Sequence, residues 1–186
     1  MSSTNDHCYR PSRVYIGVGS NLGDRMMYLT EAANCLLDAP GVKSLKSAPI
    51  YETKPVGPAG PGNFLNTVFA VDVCLSPQQL LRIMQHIEVL LGRPRATHGG
   101  AGSRIGSRTI DLDLLFYDDL VFQNDELVVP HPHLHEREFV LRPLADLAPE
   151  YTHPESDLTV RELLAALPAS EQIMGVVADS LSLAHT

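Results

Sequence analysis

Asp111 and Asp113 stand two residues apart in the stretch SRTIDLDLLFYDD (107–119). Read at a period of two, Ile110, Leu112, Leu114 and Phe116 form one apolar face. Thr109, Asp111, Asp113, Leu115 and Tyr117 form the other. Alternate strand positions put both carboxylates on one face, about 7 Å apart. Bare charges at that distance repel by about 2 kcal/mol at an effective dielectric near 20. In open water the cost is small, and the pair is only a wet strand face. At a covered rim, with Arg108 just upstream, the pair suits magnesium, which takes hard oxygen ligands from one or two carboxylates and from substrate phosphates. The spacing leaves both readings open.

Residues 89–108 hold Arg93, Arg95, Arg104 and Arg108 and no acidic residue. The whole chain has 14 Lys and Arg against 22 Asp and Glu, a net charge of −8. That balance excludes a general nucleic-acid binder. A cationic segment within an acidic chain fits a small polyphosphate, or else a solvated basic loop. No GxxxxGK[ST] motif is present, and GVGSNLG (17–23) fails the GxGxxG spacing, so P-loop and dinucleotide-fold readings are set aside. His131, His133 and His135 alternate in VPHPHLHEREF (129–139), but Pro130 and Pro132 interrupt a regular strand. Hydrogen-bonding imidazoles suit that stretch better than a zinc site. Glu88 falls in the last turn of a helix, where a negative charge opposes the macrodipole.

The elements that must position these groups follow from periodicity. Val14–Val18 reads as a buried strand before a Gly/Asn turn. Leu29, Ala32, Ala33, Leu36 and Leu37 keep helical spacing up to Pro40-Gly41. SLKSAPIYET (44–53) reads as one irregular strand, disturbed by Pro49. KPVGPAGPGN (54–63) is a surface loop, and FLNTVFAVDVCL (64–75) is a strand whose odd positions make the better core face. SPQQLLRIMQHIEVLLG (76–92) is the clearest helix, with Ser76 and Gln79 as a capping box and Gly92 as the stop. The glycine-rich loop RPRATHGGAGSRIGS (93–107) leads into the acidic strand. Residues 120–151 add a short strand pair and a helix, and TVRELLAAL (159–167) a last short helix.

The order β-α-β, β-α-β predicts an α+β fold: a ferredoxin-like α/β sandwich with an antiparallel sheet, helices on one face and additional C-terminal helices. One domain is expected over residues 13–168, with a loose tail at 1–12 and a second tail at 169–186. No apolar run is long enough to span a membrane, and the polar N-terminus has no signal-peptide core. Cys8, Cys35 and Cys74 are scattered and odd in number, so free thiols and a cytoplasmic location are expected.

RIGSRTIDLDLL (104–115), GSNLGDR (19–25), YETKPVGP (51–58), FLN (64–66) and PHPHLHEREFVLRPL (130–144) occur in this order. Together they resemble the 6-hydroxymethyl-7,8-dihydropterin pyrophosphokinase family of folate biosynthesis, over Val14 to Leu167. The resemblance implies transfer of pyrophosphate from ATP to the pterin hydroxymethyl, with AMP released. It implies that Asp111 and Asp113 hold two Mg²⁺ ions, and that Arg93, Arg95 and Arg108 steady the triphosphate. It places Gln85, Glu88, His131 and Arg137 around ATP. It puts Phe64 and Phe139 on the two sides of the pterin ring, and Asn66, Thr53 and the backbone near Val56 at its polar edge, with Asp111 nearby. Small-molecule substrates alone are implied, with no nucleic acid or membrane partner, and a product passed to dihydropteroate synthase. Ile105 and Ser107 stand where family members commonly carry tryptophan and proline, and the loop before Arg108 is longer and glycine-rich. An altered loop of this kind also suits a ligand-binding module that has lost turnover.

Overall fold

Seven of the nine residues of β1 (Ser12–Ser20) are buried, on both strand faces. A strand apolar on both faces has to lie inside a sheet with layers above and below it. In the computed structural model, which describes residues 10–55, 62–92, 108–170 and 172–183, β1 is central. After it come α1 (Arg25–Leu37), β2 (Val42–Ser47), β3 (Ile50–Thr53), β4 (Phe64–Val73) and α2 (Pro77–Leu90). Then follow β5 (Asp111–Tyr117), β6 (Phe122–Gln123), β7 (Val128–Val129), α3 (Glu138–Leu147), α4 (Val160–Ala166) and β8 (Ile173–Ala178). The main sheet runs β5-β1-β4-β3-β8, with β2 also on β4, and each of its pairs is antiparallel. β6 and β7 make a separate small ribbon.

Helices cover both faces of this sheet, where one face was expected. On one side α1 and α2 bring Leu29, Ala33, Leu36, Leu80, Met84 and Ile87 against Val14, Ile16, Phe69 and Val71. On the other, α3 and α4 bring Leu141, Leu144, Val160 and Leu163 against Tyr15, Val68, Ala70 and Phe116. The reason lies in β4, whose even positions Val68 and Ala70 are apolar too and need their own cover. Three of the four α-helices described carry a side-chain cap at their start, and α3 does not. Asp24 accepts from the Met27 N–H, and Ser76 and Thr159 form capping boxes with Gln79 and Glu162.

Four further expectations change. The segment 44–53 is two strands, not one, because the chain breaks at Ala48-Pro49, and proline has no N–H for a ladder. β2 and β3 then pair with successive parts of β4. In β5 the alternation fails halfway. A bulge opposite Tyr15 and Ile16 leaves Leu115 as the extra residue, so Phe116 turns to the α3 side while Tyr117 packs on the α1 side. Residues 169–186, expected as a tail, contain β8, which pairs with β3 from Ile50–Ala178 to Thr53–Ile173. β8 is an edge strand with Met174, Val176 and Val177 about half exposed, so its sequence shows no buried alternation. Cys35 is free, its thiol pKa raised by burial, whereas Cys74 is disulfide-bonded. Among the described residues no helix is long and apolar enough to cross a membrane.

Candidate active-site cleft

Strand pairing lines up one row of positions across the sheet. Gly19 on β1 pairs with Asn66 on β4 and with Asp111 on β5. Two residues back, Gly17 pairs with Val68 and with Asp113. Tyr51 pairs with Asn66 and donates its hydroxyl to Asp146 of α3 at 2.6 Å, so the row faces the α3 layer. The two glycines are the floor. A Cβ on Gly19 would meet Asn66 Oδ1 at 2.7 Å, and one on Gly17 would meet Leu115 Cδ2 at 3.3 Å. Above them opens a cleft of about 480 Å³, walled on the far side by Arg137, Phe139 and Val140 at the start of α3. That volume suits a small molecule.

One end of the cleft is charged. Arg108 forms an ion pair with Asp111, and Arg137 lies 3.7 Å from Asp113. Arg108 is itself tied at the main chain. Its N–H donates to Asn21 Oδ1 at 2.7 Å, and its C=O accepts from the Asn21 N–H at 3.1 Å. Asn21 of GSNLGDR thus docks the base of the cationic segment on the sheet. β5 is an edge strand here, and the Leu112 N–H, between the two aspartates, donates to Glu88 Oε1 at 2.9 Å. Glu88 is buried, so its place in the last turn of α2 has a structural cause: it pairs a donor that no strand reaches.

His131 stands beside this end. Its N–H donates to Leu115 C=O at 2.9 Å, and its Nδ1 accepts from the His133 N–H at 3.2 Å. Burial first, then Arg137 and His133, push its pKa down to about 4. The ring is therefore neutral at neutral pH, and its hydrogen bond assigns the proton to Nε2, which is left as a donor. His133 and His135 turn to exposed Glu136 instead, at 3.3 and 3.6 Å. Among the described residues no three His, Cys, Asp or Glu side chains are grouped to hold a metal ion.

The other end is neutral. Asn66 Nδ2 donates to Thr53 Oγ1 at 2.7 Å, with both residues buried. Phe64 and Phe139 both line the cleft, and the Arg137 guanidinium lies 5.9 Å from the Phe139 ring centre. Thus Thr53, Phe64, Asn66, Arg108, Asp111, Asp113, His131, Arg137 and Phe139 are brought together at one cleft. Gln85 and Glu88 do not line the cleft; Gln85 is exposed on α2. Val56, Arg93, Arg95 and Arg104 lie outside the described residues. The cleft also includes Gly17, Gly19, Lys54, Glu136 and Gln172, which sequence reasoning missed. The glycines had a signal, since GVG places both on one face of a strand. Gln172 had none.

The fold is a mixed α/β domain on an antiparallel sheet, and its cleft joins a charged end to a neutral end that Phe64 and Phe139 flank. The chain belongs to the 7,8-dihydro-6-hydroxymethylpterin-pyrophosphokinase (HPPK) family, whose model matches residues 15–149. It is 41% identical over 147 residues to the 2-amino-4-hydroxy-6-hydroxymethyldihydropteridine pyrophosphokinase of Bacillus subtilis, covering 77% of this chain and 84% of that one. It is 38% identical over 155 residues to the folic acid synthesis protein fol1 of Schizosaccharomyces pombe. That match covers 83% of this chain but spans only 20% of the fission-yeast protein. A crystal structure of Plasmodium falciparum HPPK-DHPS shares the fold at a TM-score of 0.64 and 15% identity, over 84% of this chain and 43% of that one.

Proposed function

We propose that this chain transfers the β,γ-pyrophosphoryl group of ATP to the hydroxymethyl group of 6-hydroxymethyl-7,8-dihydropterin, giving AMP and the pterin diphosphate in folate biosynthesis. The row Asn66–Gly19–Asp111 carries the proposal. It sets a polar-edge reader and a carboxylate two strand spacings apart, about 10 Å, with bare backbone between them. A flat ring lying on that floor, its edge at Asn66, reaches toward Asp111 with its hydroxymethyl arm.

Asp111 and Asp113 are the proposed ligands of two Mg²⁺ ions. Their fit rests on two hard oxygen donors facing one cleft, with room for phosphate oxygens to complete the shells. Bound magnesium would lower the hydroxyl pKa and offset phosphate charge. Arg108 and Arg137, now paired with the carboxylates, would turn to the same phosphates. His131 offers a neutral N–H to an ATP oxygen. Phe64 and Phe139 offer ring faces, where stacking gives area without strict polar demands. Asn66 and Thr53 read the ring edge with the Val56 backbone, and Arg93, Arg95, Gln85 and Glu88 act around ATP, on the strength of the family resemblance. Catalysis is then positioning and electrostatics, with no covalent enzyme intermediate.

The strand order β5-β1-β4-β3, with a helix after β1 and another after β4, supports a ferredoxin-like core. A cytoplasmic setting rests on the supply of ATP, since the Cys74 disulfide removes the argument from reduced thiols. The product is proposed to pass to dihydropteroate synthase. Incubation with ATP, Mg²⁺ and the hydroxymethyl pterin tests the reaction. AMP and pterin diphosphate are expected; ADP would make it an ordinary kinase, and pterin binding without AMP a binding module.

A further inference from the structure

The neutral end of the cleft contains a polar group from the C-terminal segment. Gln172 lines the cleft together with Thr53, Lys54 and Asn66. It lies beyond residue 149, where the family match ends. Its main chain is held in place. The C=O accepts from the Lys54 N–H at 2.8 Å, and the N–H donates to Ser170 Oγ at 3.3 Å. From Gln172 the chain runs straight into β8, paired on β3.

Its side-chain oxygen is different. Oε1 is buried and has no hydrogen-bond partner among the described residues. Among the described residues two other side-chain atoms share that condition, Ser20 Oγ and Thr109 Oγ1, and neither residue lines the cleft. Leaving a buried acceptor unpaired is costly, and such atoms are rare in folded proteins. An acceptor kept unpaired at the wall of a ligand cleft is explained when the ligand supplies the donor. Thr53 and Asn66 are already bonded to each other, so Gln172 adds an acceptor to that wall.

We propose that Gln172 is a further binding residue of this site, its amide oxygen accepting an N–H from the polar edge of the ring substrate. The inference rests on the pterin reading above. A pterin offers a 2-amino group and a ring N–H along one edge, and a neutral amide meets them without burying a charge. The C-terminal segment thereby takes part in specificity, because β8 anchors the residue that precedes it at the cleft wall. Rejecting a heterocycle without those donors costs the site an unpaired acceptor, a strong form of discrimination.

The test uses the full chain with Mg²⁺ and a non-hydrolysable ATP analogue. Binding of 6-hydroxymethyl-7,8-dihydropterin is measured by calorimetry, and turnover by AMP release. Gln172→Met keeps the length and removes the acceptor, and should weaken pterin affinity roughly tenfold. The loss should fall on KM for the pterin rather than on kcat or KM for ATP. Gln172→Glu keeps an acceptor oxygen and should retain more affinity than Gln172→Met, which also separates the effect from folding. Unchanged pterin affinity in Gln172→Met, with Asn66→Ala weakened, overturns the inference and leaves the pterin reading standing. An equal loss in both variants, or one spread over ATP and kcat, marks a structural role and overturns it too. No pterin binding by the wild type overturns both.

Discussion

At one end of the cleft Asp111 and Asp113 hold arginines and stay partly open, their side chains 21% and 40% exposed. At the other end Thr53 and Asn66 are 1% and 6% exposed and are bonded to each other. The charged end leaves its groups open to solvent and able to exchange partners, as the proposed phosphate and metal binding requires. The neutral end is buried and arranged in advance, as the proposed hydrogen-bond recognition of a ring requires. One strand of bare glycine separates them, so each end tolerates different changes.

The largest effect is expected at the charged end. Asp113→Asn should lower kcat for AMP formation by about a thousandfold, the loss of several kcal/mol of charge stabilisation. Pterin affinity measured by calorimetry should change little; a parallel loss would erase the distinction between the ends. Gly19→Ala attacks the neutral end through its floor. The new Cβ would meet Asn66 Oδ1 at 2.7 Å, and the Asn66 side chain, being the softer partner, should swing away from Thr53. KM for the pterin should rise roughly tenfold, with a thermal midpoint close to wild type.

Glu88 sharpens the comparison from behind the charged end. Glu88→Leu leaves the Leu112 N–H buried and unpaired and should cost about 1–3 kcal/mol in chemical unfolding. Glu88→Gln keeps the acceptor and should lose much less. If both lose equally, the charge and not the hydrogen bond holds β5. The smallest effect concerns His131. Its pKa is about 4 in the fold against an ordinary 6.5, so the folded state binds fewer protons between those values. The contribution of the neutral ring to stability is then full above about pH 6.5 and is lost as pH falls through about 4. The wild-type thermal midpoint should drop over that window more steeply than that of His131→Gln. Equal slopes would refute the buried neutral ring.

Much of this arrangement was legible in residue order. The alternation around Asp111 and Asp113, the Ser76 capping box and the apolar stripe of α2 are local, and local geometry follows from chain stereochemistry. The family motifs led to nine residues that do meet in one cleft. Glu88 was visible only as a misfit of charge against a helix end, and its reason, an N–H on an edge strand, comes from another element. The second helical layer was implicit in Val68 and Ala70, but an apolar residue does not say which side of the sheet will cover it.

By itself the sequence determined which side chains can accept, donate or coordinate, and the period that sets neighbours on one strand face. Tertiary structure alone decided the register that puts Gly19 between Asn66 and Asp111, the bulge that turns Phe116 and Tyr117 to opposite layers, and the return of Gln172 to the cleft wall. The physical reason is range. Strand and helix periods act over a few residues, while pairing and burial join residues far apart in the chain and have their energies set only when the whole sheet closes.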